Sequence, residues 1–393
     1  MVLSDKDIFA FLMKKRDYSS FRSGCFGKQE GPEKKGLMAS LSEEAFAAPI
    51  LTKNSLKANN LVVEPFNIDN LKGDGIDFTI GTKIYSSDVL LSEQISLVDL
   101  EEMVSCGGAR EINLKEGEKF DFEAGIIYYV LSKEKVKIPN NLKLIVDSKS
   151  TIGRLGCLCH DVTKQELFRT SPVNLISVVR PYVFTIRATA GKSKLFQGVF
   201  TYSKEFHMTR EDILKNRDKV EVSVNRKKIL LEDALIEDKL ALHFSTHKAY
   251  VSRPEALRAG AIDIEAEGDN KPNWGDYFEE IKGNDKIILE KDRFYLLGTR
   301  EHIKFGTVCG RLSRDYGGHL TGLWSQFAGI IHAGFYGEIT LECKTTEKRV
   351  IKNGDLAGTI EIDALSSDKG FEAKGSYQGQ KAPRLSKVFA PKK

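Results

Sequence analysis

Residues 147–160 read "DSKSTIGRLGCLCH" and set Lys149, Ser150, Thr151 and Arg154 within a six-residue run. A polyphosphate is held by backbone N–H groups, hydroxyls and cations that converge on it. This run offers all three, and Gly153 permits close backbone approach. The plain alternative is a polar turn between two strands. A second stretch, "GIIHAGFYGEITLECK" at 329–344, supplies a carboxylate, Glu342, which alternates with apolar Ile339 and Leu341 as on a half-buried strand. By itself Glu342 also reads as a solvated strand carboxylate. The "CLCH" at 157–160 suggests zinc, but on a strand Cys157 and Cys159 face one way and His160 the other. Those residues read as packing groups.

The elements that must position these groups are mostly strands. Short β-branched and aromatic runs ("IIYYVL", "KVKIPNNLKLIV", "YVFTIRA", "LFQGVFTY") alternate with Gly, Asn, Asp and Pro turns, which predicts a β barrel or sandwich with few helices. "LSDKDIFAFLMKK" reads as a helix capped by Ser4, and residues 21–60 as an irregular loop or insertion. The chain then starts again. "HMTREDILKN" (207–216) echoes "VLSDKDIFAF", with Thr209 in the place of Ser4. "ALHFSTHKAY" (241–250) echoes "GIDFTIGTKIY" (75–85), and "FYLLGTREHIKF" (294–305) matches "IYYVLSKEKVKI" (127–138) without a gap. Tyr295, Glu301 and Lys304 repeat Tyr128, Glu134 and Lys137. Three echoes in one order predict a tandem duplication with halves at 1–207 and 208–393. The alternative is two unrelated β domains with generic strand patterns.

The composition sets wider bounds. Of 393 residues 41% are apolar and 29% charged, enough to fill a core. A net charge of +4 permits an anionic ligand without calling for a nucleic acid polymer. The six Cys are scattered, which suggests no disulfide framework. No apolar run reaches membrane-spanning length, and Asp5 and Asp7 stand where a signal peptide is apolar. A cytoplasmic protein that is not tied to a membrane is expected.

"KSTIGRLG" resembles the R-S-S-L-A-R-x-G signature of the dCTP deaminase and trimeric dUTPase superfamily. "GIIHAGFYGEITLEC" is similar to that family's strand pair ending in x-L-E, and "GSYQGQKAPRLSKVF" (375–389) to its C-terminal tail. The duplicated layout resembles a two-domain bacterial form of dCTP deaminase. The resemblance covers most of the chain outside 20–60 and 215–240. It implies two tandem dUTPase-like β-barrel domains, a homotrimer, and hydrolysis of dCTP to dUTP and ammonia, with magnesium riding on the triphosphate and no zinc. The H-x-E…P-C-x-x-C signature of zinc deaminases is absent. Two rival readings remain: a dUTPase or bifunctional enzyme, and a non-catalytic nucleotide-binding homologue.

The resemblance also implies roles. Glu342 is the base, Ser150 orients the water and the base, and Arg154 balances charge. Lys149 stands where the family has a phosphate-binding Arg, and Thr151 and Gly153 complete that loop. Ala328 offers its carbonyl to the cytosine amino group, with Thr340 and Leu341 beside it. His332 stands where the family has an Asp near the sugar, so no carboxylate is expected there. Lys374, Tyr377 and Gln380 belong to a polar tail that closes over the nucleotide as a lid and buries little apolar area. Anchored on Arg180, the first half's acid position is Ile176. The second half's "GRLSRDYGG" has Arg311, Ser313 and Arg314 in the wrong spacing. One half keeps the phosphate motif and the other the acid, so a composite site between facing halves is expected.

Overall fold

β-branched and aromatic residues favour a pleated, covered surface, and the run at Ile127–Lys137 forms the central strand of the first repeat. The computed structural model describes residues 61–391 except 73, 92–93, 141, 165, 203–206, 284, 314–322, 326 and 366–376. The expected Ser4-capped helix, the 21–60 loop and Lys374 lie outside the described residues, and the expected division at 207/208 adjoins 203–206.

Ile127–Lys137 lies between Ile80–Ser87 and Val173–Pro181. From there the sheet continues through Cys157–Asp161, Leu142–Ser148 and Phe196–Tyr202 to Gly75–Phe78. The second repeat is wired alike. Phe294–Phe305 lies between Lys239–Ser252 and Tyr336–Thr345, and Leu356–Ala364 joins Lys239–Ser252 to Val308–Ser313. The architecture is mainly β with few, short helices, as expected. Helix Arg210–Lys215 is closed by a Thr209–Asp212 capping box. Among the described residues no helix is long and apolar enough to cross a membrane.

The echoed residues do equal structural work. The Tyr128 hydroxyl accepts the Glu123 N–H at 3.0 Å, and the Tyr295 hydroxyl accepts the Glu290 N–H at 2.7 Å. Buried Glu134 and Glu301 each accept a backbone N–H of a neighbouring strand, from Thr79 at 2.9 Å and His243 at 2.8 Å. Ser132 and Thr299 accept the N–H groups of Leu175 and Ile339 at 2.8 and 3.0 Å. These polar groups hold the central strands in register.

The apolar faces form one cluster within the second repeat and a larger one that crosses between repeats, bringing Tyr250, Tyr277, Phe278 and Phe294 onto the first-repeat core. A parallel pairing of Ile186–Thr189 with Ile262–Asp263 also joins the repeats. The C-terminal tail departs from its expected character. Val388 and Phe389 are each only 4% exposed, and the Phe389 ring lies 5.4 Å from Tyr277 and 5.9 Å from Phe278. The polar stretch before them masks an apolar anchor. Phe389→Ala should therefore lower the unfolding free energy by about 3–5 kcal/mol, the usual cost of truncating a buried Phe. An unchanged urea midpoint would show that the tail is not part of the core.

Candidate active site

Strand Leu142–Ser148 runs into the short helix Ser150–Gly153, and Arg154 closes that turn. The Arg154 side chain leaves its own repeat. Its Nη1 donates to Thr340 Oγ1 at 3.0 Å and to the Arg384 carbonyl at 2.6 Å, and its Nη2 donates to Gln380 Oε1 at 3.3 Å. The guanidinium lies 3.7 Å from the centre of the Tyr377 ring, a cation–π contact. Arg154 is 4% exposed, and these partners replace the water of its two Nη groups, while its buried Nε has no hydrogen-bond partner. Thr151 Oγ1 lies 3.4 Å from the Tyr377 hydroxyl, and the Thr151 carbonyl accepts from Ser386 at 2.8 Å.

On strand Tyr336–Thr345 successive side chains alternate faces. Thr340 and Glu342 face the first repeat, while Leu341 and Cys343 enter the second-repeat core. The Leu341 side chain therefore points away from this contact, which leaves its backbone for the expected place beside the substrate. Glu342 is 2% exposed and accepts the Ala328 N–H at 3.3 Å. A Cβ on Gly153 would stand 2.8 Å from Ala328 Cβ and 3.2 Å from Glu342 Cδ, so the repeats approach this closely only with glycine at 153. Burial lifts the Glu342 carboxyl to about 8. The Arg154 charge and the Ala328 and Phe327 N–H groups pull the other way, while Asp147 adds to the rise.

The other expected residues lie around this contact. Ser150 is half-buried at the start of the short helix. Lys149 Nζ donates to Asp77 at 2.6 Å. Asp147 accepts the Gly329 N–H at 2.8 Å. At His332 the structure overturns an expectation, because a carboxylate is present. Asp74, fully buried, meets His332 Nδ1, and His332 Nε2 lies 3.1 Å from Gln197 Oε1. Burial opposes protonation of His332, but Asp74 together with Asp77 raises the imidazole above its ordinary value. Asp74, Asp77, Asp147, Gln197 and Arg384 were not singled out in the sequence. A signal existed for Asp77: matching Phe78 to Phe244 puts His243 opposite it, so only the first repeat carries an acid there.

The acid position of the first repeat is also corrected. Glu342 pairs with Leu296, one residue after Tyr295; the residue opposite Tyr129, one after Tyr128, is Val178, not Ile176. The Leu175 and Ile339 N–H groups, bound to the equivalent Ser132 and Thr299, give the same register. Val178 is 0% exposed and packs with Tyr85, Tyr129, Ile95 and Leu100, the last from helix Leu97–Ser105. The first repeat thus covers with its own helix the face on which the second repeat carries its acid. Its counterpart to the phosphate motif is also engaged elsewhere: Arg311 Nε donates to Asp363 at 2.9 Å, and Ser313 accepts from Lys239 at 3.2 Å. Arg314 lies outside the described residues. Cys157 and Cys159 sit in the first-repeat core, while His160 pairs with Asp147 and Val178. Among the described residues no group of three or more His, Cys, Asp or Glu is placed to hold a metal ion.

Comparison with known proteins places this geometry. The model of the dCTP deaminase-like family matches residues 51–188 and again 202–359, and the chain belongs to that family. A protein of Persephonella marina named "dCTP deaminase, dUMP-forming" is 30% identical over 138 residues, 33% of this chain and 74% of that protein. One of Aeropyrum pernix named "dCTP deaminase" is 32% identical over 118 residues, 30% of this chain and 65% of that protein. The crystal structure of 2'-deoxycytidine 5'-triphosphate deaminase from Agrobacterium tumefaciens matches with a TM-score of 0.64 at 17% identity, covering 78% of this chain and 91% of that one. The dUTPase-like β fold is thereby shown.

The Glu342 shift has a thermodynamic consequence. Its carboxyl holds a proton to about pH 8 when folded, against an ordinary value of 4.5. The folded state therefore binds more protons between those values, and the fold loses stability as pH rises through that window because the unfolded carboxyl is already ionised. Glu342→Gln should gain stability relative to the parent from pH 5 to pH 8, with a level gap above. Urea unfolding at several pH values checks this, and a gap constant with pH would mean that Glu342 ionises freely.

Proposed function

We propose that this chain hydrolyses dCTP to dUTP and ammonia. The supporting observation is a buried carboxyl, Glu342, that burial lifts to about 8 and that lies between the phosphate motif of one repeat and the Ala328 backbone of the other. A base near the working pH can both accept and return a proton. Water adds to C4 of the cytosine and gives a proton to Glu342. The C4–N bond then breaks, and the proton leaves with ammonia. The second proton of the water ends on N3, giving uracil. Ser150 orients the attacking water. Arg154 balances the negative charge that Glu342 carries as the ionised base. Lys149 and Thr151 receive the triphosphate, which arrives as its magnesium complex, while Tyr377, Gln380 and Lys374 close the tail over it. The Ala328 carbonyl takes the cytosine amino group.

Release of dUMP is the second reading. The Asp74 carboxylate behind His332 supplies an acid near the place where the resemblance implied none, and some relatives are named dUMP-forming. Measuring ammonia, dUTP, dUMP and pyrophosphate separately distinguishes the two. The implied homotrimer is kept as part of the proposal, with each chain completing one site from its own two repeats.

Glu342→Gln should lower dCTP turnover by about 10²–10⁴-fold, the usual worth of general acid–base catalysis, and still bind the nucleotide. Calorimetric titration of this variant should reach one nucleotide per chain, because the first repeat's acid face is covered. Near-parent turnover would reject Glu342 as the base, and two nucleotides per chain would reject the single-site reading.

A further inference from the structure

The successive peptide groups around Ala328 are tied to different parts of the chain. The Ala328 N–H donates to Glu342 at 3.3 Å, within the second repeat. The Gly329 carbonyl accepts the Leu312 N–H at 2.9 Å, within the same repeat. The peptide between them, which joins Ala328 to Gly329, is tied to the first repeat instead. Its N–H donates to Asp147 Oδ2 at 2.8 Å. The carboxylate that takes it is itself fixed. Asp147 pairs with His160 on one side and Gln197 on the other, and its Oδ1 accepts the Ser148 N–H at 2.7 Å. A Cβ on Gly329 would stand 3.0 Å from Asp147 Oδ2 and crowd it, so glycine at 329 gives this contact its room.

A trans peptide is planar, and its C=O and N–H point in opposite directions. The Ala328–Gly329 peptide is trans. Holding the Gly329 N–H therefore fixes the Ala328 carbonyl as well, with its oxygen aimed away from Asp147. On the reading proposed above, that oxygen takes the amino group of cytosine. Uracil has an oxygen at the same ring position, and two acceptors repel. Were the peptide turned over, it would present its N–H to the base and favour uracil. An ionised carboxylate only accepts hydrogen bonds, so Asp147 stabilises the N–H inward and the carbonyl toward the base. We propose that Asp147 is a positioning residue for base recognition: acting across the junction of the repeats, it aims the Ala328 carbonyl and so favours a cytosine amino group over a uracil oxygen. Asp147 stands two residues before Lys149, so the segment that offers a cation and hydroxyls to the phosphates also sets how the base is read. This inference rests on the nucleotide reading of the site.

The test is the ratio of the dissociation constants of dUTP and dCTP, each with magnesium, measured by calorimetry on the Glu342→Gln protein. Ammonia release by the parent is followed alongside. Adding Asp147→Ala should cut the preference for dCTP by roughly 3–10-fold, the worth of one hydrogen bond. Asp147→Asn should keep most of the preference, because an amide oxygen also accepts the Gly329 N–H. Loss of the Asp147 charge acts on the two triphosphates alike and cancels in the ratio. Gly329→Ala, which crowds the same contact from its other side, should lower the ratio as Asp147→Ala does. A ratio unchanged by Asp147→Ala would overturn the proposal. So would a loss that Asp147→Asn shows in full, which would make the charge and not the hydrogen bond the cause. If Asp147→Ala fails to fold, an undiminished ratio in Gly329→Ala would overturn it. An Asp147-dependent preference in a protein whose parent releases no ammonia would sink the reaction and keep this inference. Deamination with a ratio indifferent to Asp147 would do the reverse, and binding of neither nucleotide would overturn both.

Discussion

Burying the Arg154 guanidinium at the junction of the two repeats is the constraint from which the site follows. A buried guanidinium must replace its water with acceptors or lose several kcal/mol. The first repeat, which carries Arg154, supplies none of the partners seen. Thr340, Gln380, the Arg384 carbonyl and the Tyr377 ring all come from the second repeat and the tail. The charge in turn makes tolerable a second buried ionisable group, Glu342, one strand position beyond Leu341 on the same face as Thr340. Gly153 sets how closely the two halves of this arrangement approach, since a methyl group there would strike Ala328 and crowd the Glu342 carboxyl. The tail is therefore part of what solvates Arg154, and Val388 and Phe389 hold it in place by apolar burial.

The duplication explains why the first repeat, among the described residues, shows no matching acid position. Both repeats keep the same central-strand register and the same hydroxyl and tyrosine clamps. They differ in what covers the acid-bearing face. In the second repeat that face meets a polar loop of the first. In the first repeat it meets helix Leu97–Ser105, whose Leu100 is fully buried beside Val178. An ionised carboxylate at 178 would face the apolar groups of Tyr85, Ile95 and Leu100, which the cost of burying a charge disfavours. Arg311, on the strand that repeats the one before the phosphate motif, is meanwhile paired with Asp363.

Much of this was legible in the sequence because local patterns carry it. The strand alternation, the ungapped match of 127–138 to 294–305, and the clustering of Lys149, Ser150, Thr151 and Arg154 are all short-range signals. The misplacement of the first repeat's acid position is instructive. Anchoring on Arg180 landed on Ile176, two residues from Val178. An even shift keeps the face of a strand, so the apolar character was right and the register was not. Register depends on which residue lies across the sheet, and a bulge between Asn174 and Ile176 adds to the difficulty. The Asp74–His332 contact spans 258 residues and exists only once the repeats pack. The apolar anchor of the tail was hidden because a polar, basic segment precedes it.

Two charges of the site are paired before any ligand arrives, Lys149 with Asp77 and His332 with Asp74, while Arg154 is held by neutral acceptors of the second repeat and tail. A polyphosphate approaching Lys149 therefore competes with an existing buried carboxylate, and a lysine offers it a point charge where an arginine would offer a fork. Its negative charge also acts on Glu342 in the same direction as Asp147 does, favouring the protonated carboxyl. A base must be ionised to accept a proton from water, so an unscreened triphosphate would work against the step it is bound for. On the proposed reading, a magnesium ion accompanying the triphosphate would offset that field.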